Sequence, residues 1–410
     1  MHALIFCAVQ FLLAVTWTLY VAFLPQLATQ AGVPRAQVAW ILMMDQVIFI
    51  AMDCALGIAA DRVVSAMRTL GGWVLALSAA SALAFVLLPG VTSPVWLFGL
   101  TAIWAATSSA LRAPPMVIIA RRLQADRPSF LVGCSLLGIG LAGAVAPLLT
   151  ARLREVSPLL PFVMASVALV LAVAALRWIE PAAPHGSADS APDMAADITT
   201  DRAPVERSGL ARIWMLFVAL CLLALGFQIH TAVNSAPAFL RFVASADLVR
   251  VMPAFWVGFA LCVLLPDVPR LRRYPAHVLL LLAAALGALS LFGFAAARSL
   301  EAVLVAQVVA GGLWGIAFGA AANAALDAGH VGREGAFVGL VFAVSAVAAF
   351  FRIAMVSSGA SKSAGLAGLL PWLPALAWGI AALLLAGFAL ANRPYLVRQI
   401  HRLRQRAGSG

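Results

Sequence analysis

Apolar stretches of about 20 residues, each long enough to cross a ~30 Å hydrocarbon core as a helix, recur along almost the whole chain. The first runs from Ala3 to Leu24 and the last from Leu370 to Leu390. In lipid, a segment of this length satisfies its backbone N–H and C=O groups by coiling into a helix. The sequence therefore predicts an all-α polytopic membrane protein with twelve transmembrane helices. They lie near 3–25, 37–60, 69–90, 95–119, 129–150, 158–178, 213–239, 250–266, 276–297, 302–326, 335–357 and 370–391. Composition agrees: 64% of residues are hydrophobic and 10% charged, against about 25% charged in soluble domains.

The net charge of +11 would suit a polyanion partner, yet the arginines cluster in short loops and in the tail. There is no interleaved basic and aromatic surface of the kind single-stranded nucleic acid needs, so no nucleic-acid partner is expected. With the N-terminus inside, one face collects Arg62, Arg121, Arg122, Arg127, Arg270, Arg272, Arg273 and the tail arginines. The other holds only Arg35, Arg152, Arg154, Arg241, Arg250, Arg298 and Lys362. This bias places both termini in the cytoplasm and the chain in the cell inner (plasma) membrane. The first span lacks a basic n-region and a cleavage site, so it is expected to remain as a helix. Cys7, Cys54, Cys134, Cys221 and Cys262 all fall in apolar spans without metal-ligand spacing, so neither a disulfide framework nor a metal is expected.

Residues 180–211 interrupt the pattern with a stretch rich in Pro, Ala, Ser and Asp, which reads as a flexible cytoplasmic linker. It separates an N-terminal six-helix bundle, 1–179, from a C-terminal one, 212–392, and 393–410 forms a basic tail. In the tail, Leu396, Ile400 and Leu403 share one helical face. It reads either as an amphipathic helix on anionic lipid or as a topology-setting flank. The halves echo one another at an offset of 206 residues: Asp61 with Asp267, Arg127 with Arg333, Gly133 with Gly339. Parallel six-helix repeats of this kind are a transporter plan.

After the second span the chain reads Gly57-Ile-Ala-Ala-Asp61-Arg62, with Arg68 following. This resembles the G-x-x-x-D-R signature of the major facilitator superfamily, and with the six-plus-six layout the resemblance covers essentially the whole chain. Val64 and Ser65 depart from it, standing where Gly and a basic residue are common. The resemblance implies that Gly57 lets helices two and eleven approach, and that Asp61 and Arg62 lock the cytoplasmic side of an outward-open state. Asp53, Gly57 and Asp61 are spaced by four and so share a helix face. The fifth span carries Gly138, Gly140, Gly143 and Pro147, loosely like an antiporter motif but without the adjacent Gly-Pro pair.

Ionisable residues at membrane depth cost about 2.5–3.5 kcal/mol each on insertion scales and are site candidates by default. Because helices two and eleven face each other in the resembled fold, Asp45 and Arg352 are expected either to pair across the two halves as a proton-linked gate that closes the outer side and breaks when it opens, or to be satisfied separately. Asp53 is a second proton carrier or part of the lock. The resemblance also turns helices one, four, seven and ten toward a central cavity. There Arg112 would meet a carboxylate-bearing solute through its guanidinium fork, or else snorkel. His230, Gln228 and Asn234 make helix seven locally polar, His230 being a proton shuttle or a hydrogen-bonded structural residue. Trp17, Tyr20 and Trp314, with Gln10, Thr16, Gln307 and Asn323, are cavity or packing residues. Gly311, Gly315 and Gly319 repeat every four residues, as close helix packing requires.

The chain has no G-x-x-x-x-G-K-[ST] loop and no HExxH or GxSxG pattern. The expectation is not an enzyme but a monomeric, cofactor-free secondary transporter, moving a small organic solute by alternating access and coupled to protons. The alternative is a non-transporting sensor or assembly protein on the same scaffold.

Overall fold

The computed structural model describes residues 2–67, 70–121, 128–153, 156–179, 207–328 and 333–407. Most of the linker expected at 180–211, Arg68, Arg127 and the tail side chains lie outside the described residues. Twelve helices long and apolar enough to span a membrane are present among them. The first six are α1 His2–Gln30, α2 Arg35–Arg62, α3 Gly71–Gly90, α4 Pro94–Ile119, α5 Ser129–Leu153 and α6 Leu159–Leu176. The second six are α7 Trp214–Phe239, α8 Ser245–Asp267, α9 Ala276–Ala296, α10 Leu300–Leu326, α11 Glu334–Ser357 and α12 Leu373–Leu390. Side chains such as Leu261, Leu289 and Leu383 lie about 70% exposed on the outer surface, where only lipid can cover them. Exposed Trp40, Trp73, Trp96 and Trp214 each stand near the start of their helix, and because α2 and α4 run opposite to α3 and α7 they mark both ends of the bundle, as interfacial anchors do.

Proline chemistry sets the irregular points. In α4, Pro114 and Pro115 carry no N–H, so the turn before them is released and narrows to a 3-10 turn over Ser109–Leu111. The freed Leu111 carbonyl accepts a 2.6 Å hydrogen bond from the Gln10 side-chain amide of α1. In α7 a π-turn over His230–Asn234 precedes Pro237, and the Ser235 hydroxyl donates to the His230 carbonyl at 2.8 Å. In α8, Pro253 separates a short helix, Leu248–Val251, from Ala254–Cys262, and the span begins five residues earlier than its apolar run suggests.

Small residues set the helix spacings. Gly311 lies so close to the Phe255 carbonyl of α8 that a Cβ would overlap it, with Gly315 and Gly319 following beside Phe259 and Val263. The stripe on α10 is thus a packing seam. Gly138 of α5 lies against the Cys7 backbone of α1, while Gly140 and Gly143 receive the Phe259 and Trp256 rings of α8. The glycines of the fifth span therefore serve contact within one half and between halves alike.

Candidate functional site

The two halves meet most closely where α2 crosses α11. Gly57 and Gly335 sit backbone to backbone, each without room for a Cβ, and Gly339 lies equally close to the Asp53 carbonyl. One turn beyond, the Asp61 carboxylate accepts 2.9 Å hydrogen bonds from the backbone N–H groups of Gly335 and Ala336. These belong to the first turn of α11, whose amides have no partner within the helix and whose dipole favours a negative charge. Arg62 is exposed beside it.

The same device recurs by pseudo-symmetry. The 206-residue offset from Asp61 to Asp267 also separates Ser129 from Gly335, and the Ser129 hydroxyl donates to the Asp267 carboxylate. An acid closing α2 or α8 thus reaches across to the first turn of the opposite half's α11 or α5. Replacing Asp61 by alanine removes both acceptors, which for a helix cap costs about 1–2 kcal/mol. We expect alkylation of Cys54, half-buried behind this contact, to speed about 5–30-fold in a protein carrying no other cysteine. An unchanged rate would show that Asp61 does not hold the halves together.

Beyond this seal, away from the Asp61 end, lies a cavity of about 300 Å³ between the halves. Aromatic rings from both sides wall it: Trp17 stacks on Trp104 at 5.9 Å, and Phe227, Trp314 and Phe318 form a second stack at 4.7 and 5.5 Å. Gln10, Gln46, Gln228, Ser108 and Ser345 supply neutral polar groups, and Arg112 and Arg352 supply charge. Gln46 and Ser345 are lining residues that sequence reasoning missed. Gln46 directly follows Asp45, and Ser345 lies seven residues, two helical turns, before Arg352; that register was the available signal.

Arg112, at the break in α4, extends to α2. Its Nη1 lies 2.9 Å from Asp53 Oδ2, and its guanidinium covers the Phe49 ring at 3.9 Å. The Asp53 side chain is 0% exposed and that of Arg112 21%. Asp53 therefore has a basic partner after all, supplied by another helix rather than by its own.

Several expected site residues stand elsewhere. The Asp45–Arg352 pair is not made, because Asp45 is fully buried and accepts a 2.7 Å hydrogen bond from the Tyr20 hydroxyl. That bond also holds Tyr20 off the cavity wall, while Arg352 lines the cavity. His230 does not line it either. Its ring lies against Phe294 and Phe255, and Nε2 is 3.0 Å from Gln307 Oε1, whose amide in turn donates to Ser235 at 2.8 Å. Asn234 donates to the Leu370 carbonyl at 2.7 Å, again behind the wall. Helix geometry explains this: His230 is two residues, about 200°, on from Gln228, so with Gln228 on the cavity wall His230 points away from it into the second half. Thr16 and Asn323 are likewise off the wall. Trp17 and Trp314 are on it.

Comparison with known proteins agrees with this architecture. None of the curated proteins matches the sequence. Among solved structures, the transporter FucP in an outward conformation is 15% identical, with a TM-score of 0.64 over 94% of this chain and 98% of that one. A variant of the E. coli fucose:proton symporter FucP gives 16% and 0.64 over the same shares. The human organic anion transporter MFSD10 (TETRAN) gives 14% and 0.68, covering 93% of this chain and 98% of its own. At such identities the likeness concerns the fold. The family model described as Major Facilitator Superfamily matches residues 6–352, and with twelve membrane-spanning helices in two related sets of six, the chain belongs to that superfamily.

Proposed function

We propose that this protein is a secondary transporter that moves a small organic solute across the membrane by alternating access, coupled to protons. The observation that carries the reading is the cavity between the halves, shut at one end by the α2–α11 seam and lined by Arg112, whose partner Asp53 is buried behind it. Alternating access needs a central site and a seal between the halves; the cavity and the α2–α11 seam, each built from the two halves jointly, support the reading. The structure is then the state closed at the Asp61 end. The arginine bias makes that end cytoplasmic, with both termini on the same side of the inner (plasma) membrane.

Coupling follows from the pair. Arg112 reaches the cavity, whereas Asp53 is enclosed behind it. A solute whose neutral polar atoms accept hydrogen bonds from Arg112 draws it from Asp53 and leaves an uncompensated buried charge, which a proton neutralises. Solute and proton thereby bind together and travel together. In this account Asp45, hydrogen-bonded to Tyr20, orders the first half and is not the carrier.

The test is proton movement in proteoliposomes that enclose a pH-sensitive dye, with aromatic acids, amides, amines and sugars added in turn outside. The expected result is an internal pH change driven by one solute class in wild type, with solute exchange but no pH change in Asp53→Asn. Absence of flux for every class would remove the transporter reading. An unaltered pH signal in Asp53→Asn would remove Asp53 as carrier.

A further inference from the structure

We propose that the cavity takes an organic monoanion with a flat apolar body, and that Arg352, not Arg112, anchors its negative group. The inference rests on the transporter reading and names its substrate class.

The charge balance of the wall comes first. Arg112 and Arg352 are the ionisable groups that line the cavity among the described residues. Arg112 is neutralised by Asp53, and one face of its guanidinium is covered by Phe49. Arg352 has neither. It makes no hydrogen bond or ion pair with any described residue, and its Nε is shut away from solvent. The acid that might have served it, Asp45, is turned to Tyr20. A guanidinium never sheds its proton in a protein, so this charge persists. Cations at membrane depth are retained where they face a cavity and meet a counter-charge. Here the wall provides none, and the ligand must bring it. One uncompensated cation calls for one negative charge.

The rest of the wall selects the body. The Trp17–Trp104 stack belongs to the first half and the Phe227–Trp314–Phe318 stack to the second. Rings within each stack lie 11° from parallel. A planar apolar body can lie against such faces with ring separations in the favoured range of about 4.5–7 Å. Gln10, Gln46 and Gln228 offer amide hydrogen bonds but no charge. A volume of about 300 Å³ is ample for a molecule of one or two fused rings.

The experiment uses the full-length protein in lipid nanodiscs, without a gradient, and measures equilibrium binding by quenching of tryptophan fluorescence and by calorimetry. The probes are 2-naphthoate, 2-naphthamide and 2-naphthylmethylamine, which share a body and differ in charge. Naphthoate should bind at least 10-fold more tightly than the amide, and the amine should not bind. Arg352→Gln should weaken naphthoate at least 10-fold and leave the amide unchanged, while Arg352→Lys should recover part of the loss, being charged but not forked. Equal binding of acid and amide, tighter binding of the amine, no binding by any of the three, or an Arg352→Gln protein that keeps full naphthoate affinity would each overturn the proposal. If Arg352→Gln does not fold, the three-probe series on wild type and Arg352→Lys decides. A protein that binds naphthoate yet moves nothing in proteoliposomes would defeat the transporter reading and leave this site standing. Flux of a neutral solute without naphthoate binding would do the reverse.

Discussion

Gly57→Ala, a change of one methyl group, is expected to shift the protein toward the state open at its Asp61 end and to reduce flux at least 10-fold. The added Cβ would overlap the Gly335 carbonyl, a backbone atom that cannot rotate aside. Overpacking of this kind costs about 1–3 kcal/mol. The strain exists only while α2 and α11 touch, so it is differential between the two states and moves their ratio, at tenfold per 1.4 kcal/mol. Distances between spin labels on the ends of α2 and α11 should lengthen. Gly379→Ala is the control, since nothing lies within 4 Å of a Cβ there, and it should match wild type. A Gly57→Ala protein with the wild-type distance distribution would mean that the seam is looser than its geometry.

The second large effect concerns the buried pair. Removing one member of such a pair costs about 3–5 kcal/mol, because the other charge is left uncompensated. Arg112→Gln should be the more damaging single change, since it strands Asp53, which has no exposure, whereas Asp53→Asn strands an arginine that keeps some. Arg112→Gln/Asp53→Asn should regain much of the loss, because two neutral groups can hydrogen-bond where one bare charge cannot. Thermal melting in one detergent should therefore rank Arg112→Gln lowest, Asp53→Asn next and the double variant nearest wild type. A double variant no better than Arg112→Gln alone would contradict the pair.

Helices and their order were legible because lipid imposes a length and a hydropathy that no other solvent does. Gly57 and Asp61 were legible as a pair because their spacing puts them on one helix face, and both now stand at the α2–α11 crossing. Contacts between helices remote in sequence were not. Asp53 looked isolated because its own turn holds no base, yet Arg112, 59 residues on, lies 2.9 Å away. Asp45 and Arg352 were matched on depth and on the facing of helices two and eleven, neither of which fixes rotation about the helix axis; in the state closed at the Asp61 end, Tyr20, 25 residues before Asp45, holds it instead. His230 and Asn234 were grouped with Gln228 as one polar patch, yet two residues along a helix turn through about 200°, so Gln228 and His230 cannot share a face. The Gln10 bond to Leu111 had a signal that went unread: two successive prolines in α4 guarantee a carbonyl in need of a donor.

The mirrored acids at Asp61 and Asp267 bear on how the molecule lets go. Each is a latch thrown from one half into the other, and the internal twofold axis relates them. In the rocking motion proposed above, which turns the halves about a line in the membrane plane, both bolts lie at the same end and are drawn in a single stroke. A half-released form would keep one bolt seated while its twin is pulled, so gating is expected to register as one step rather than two.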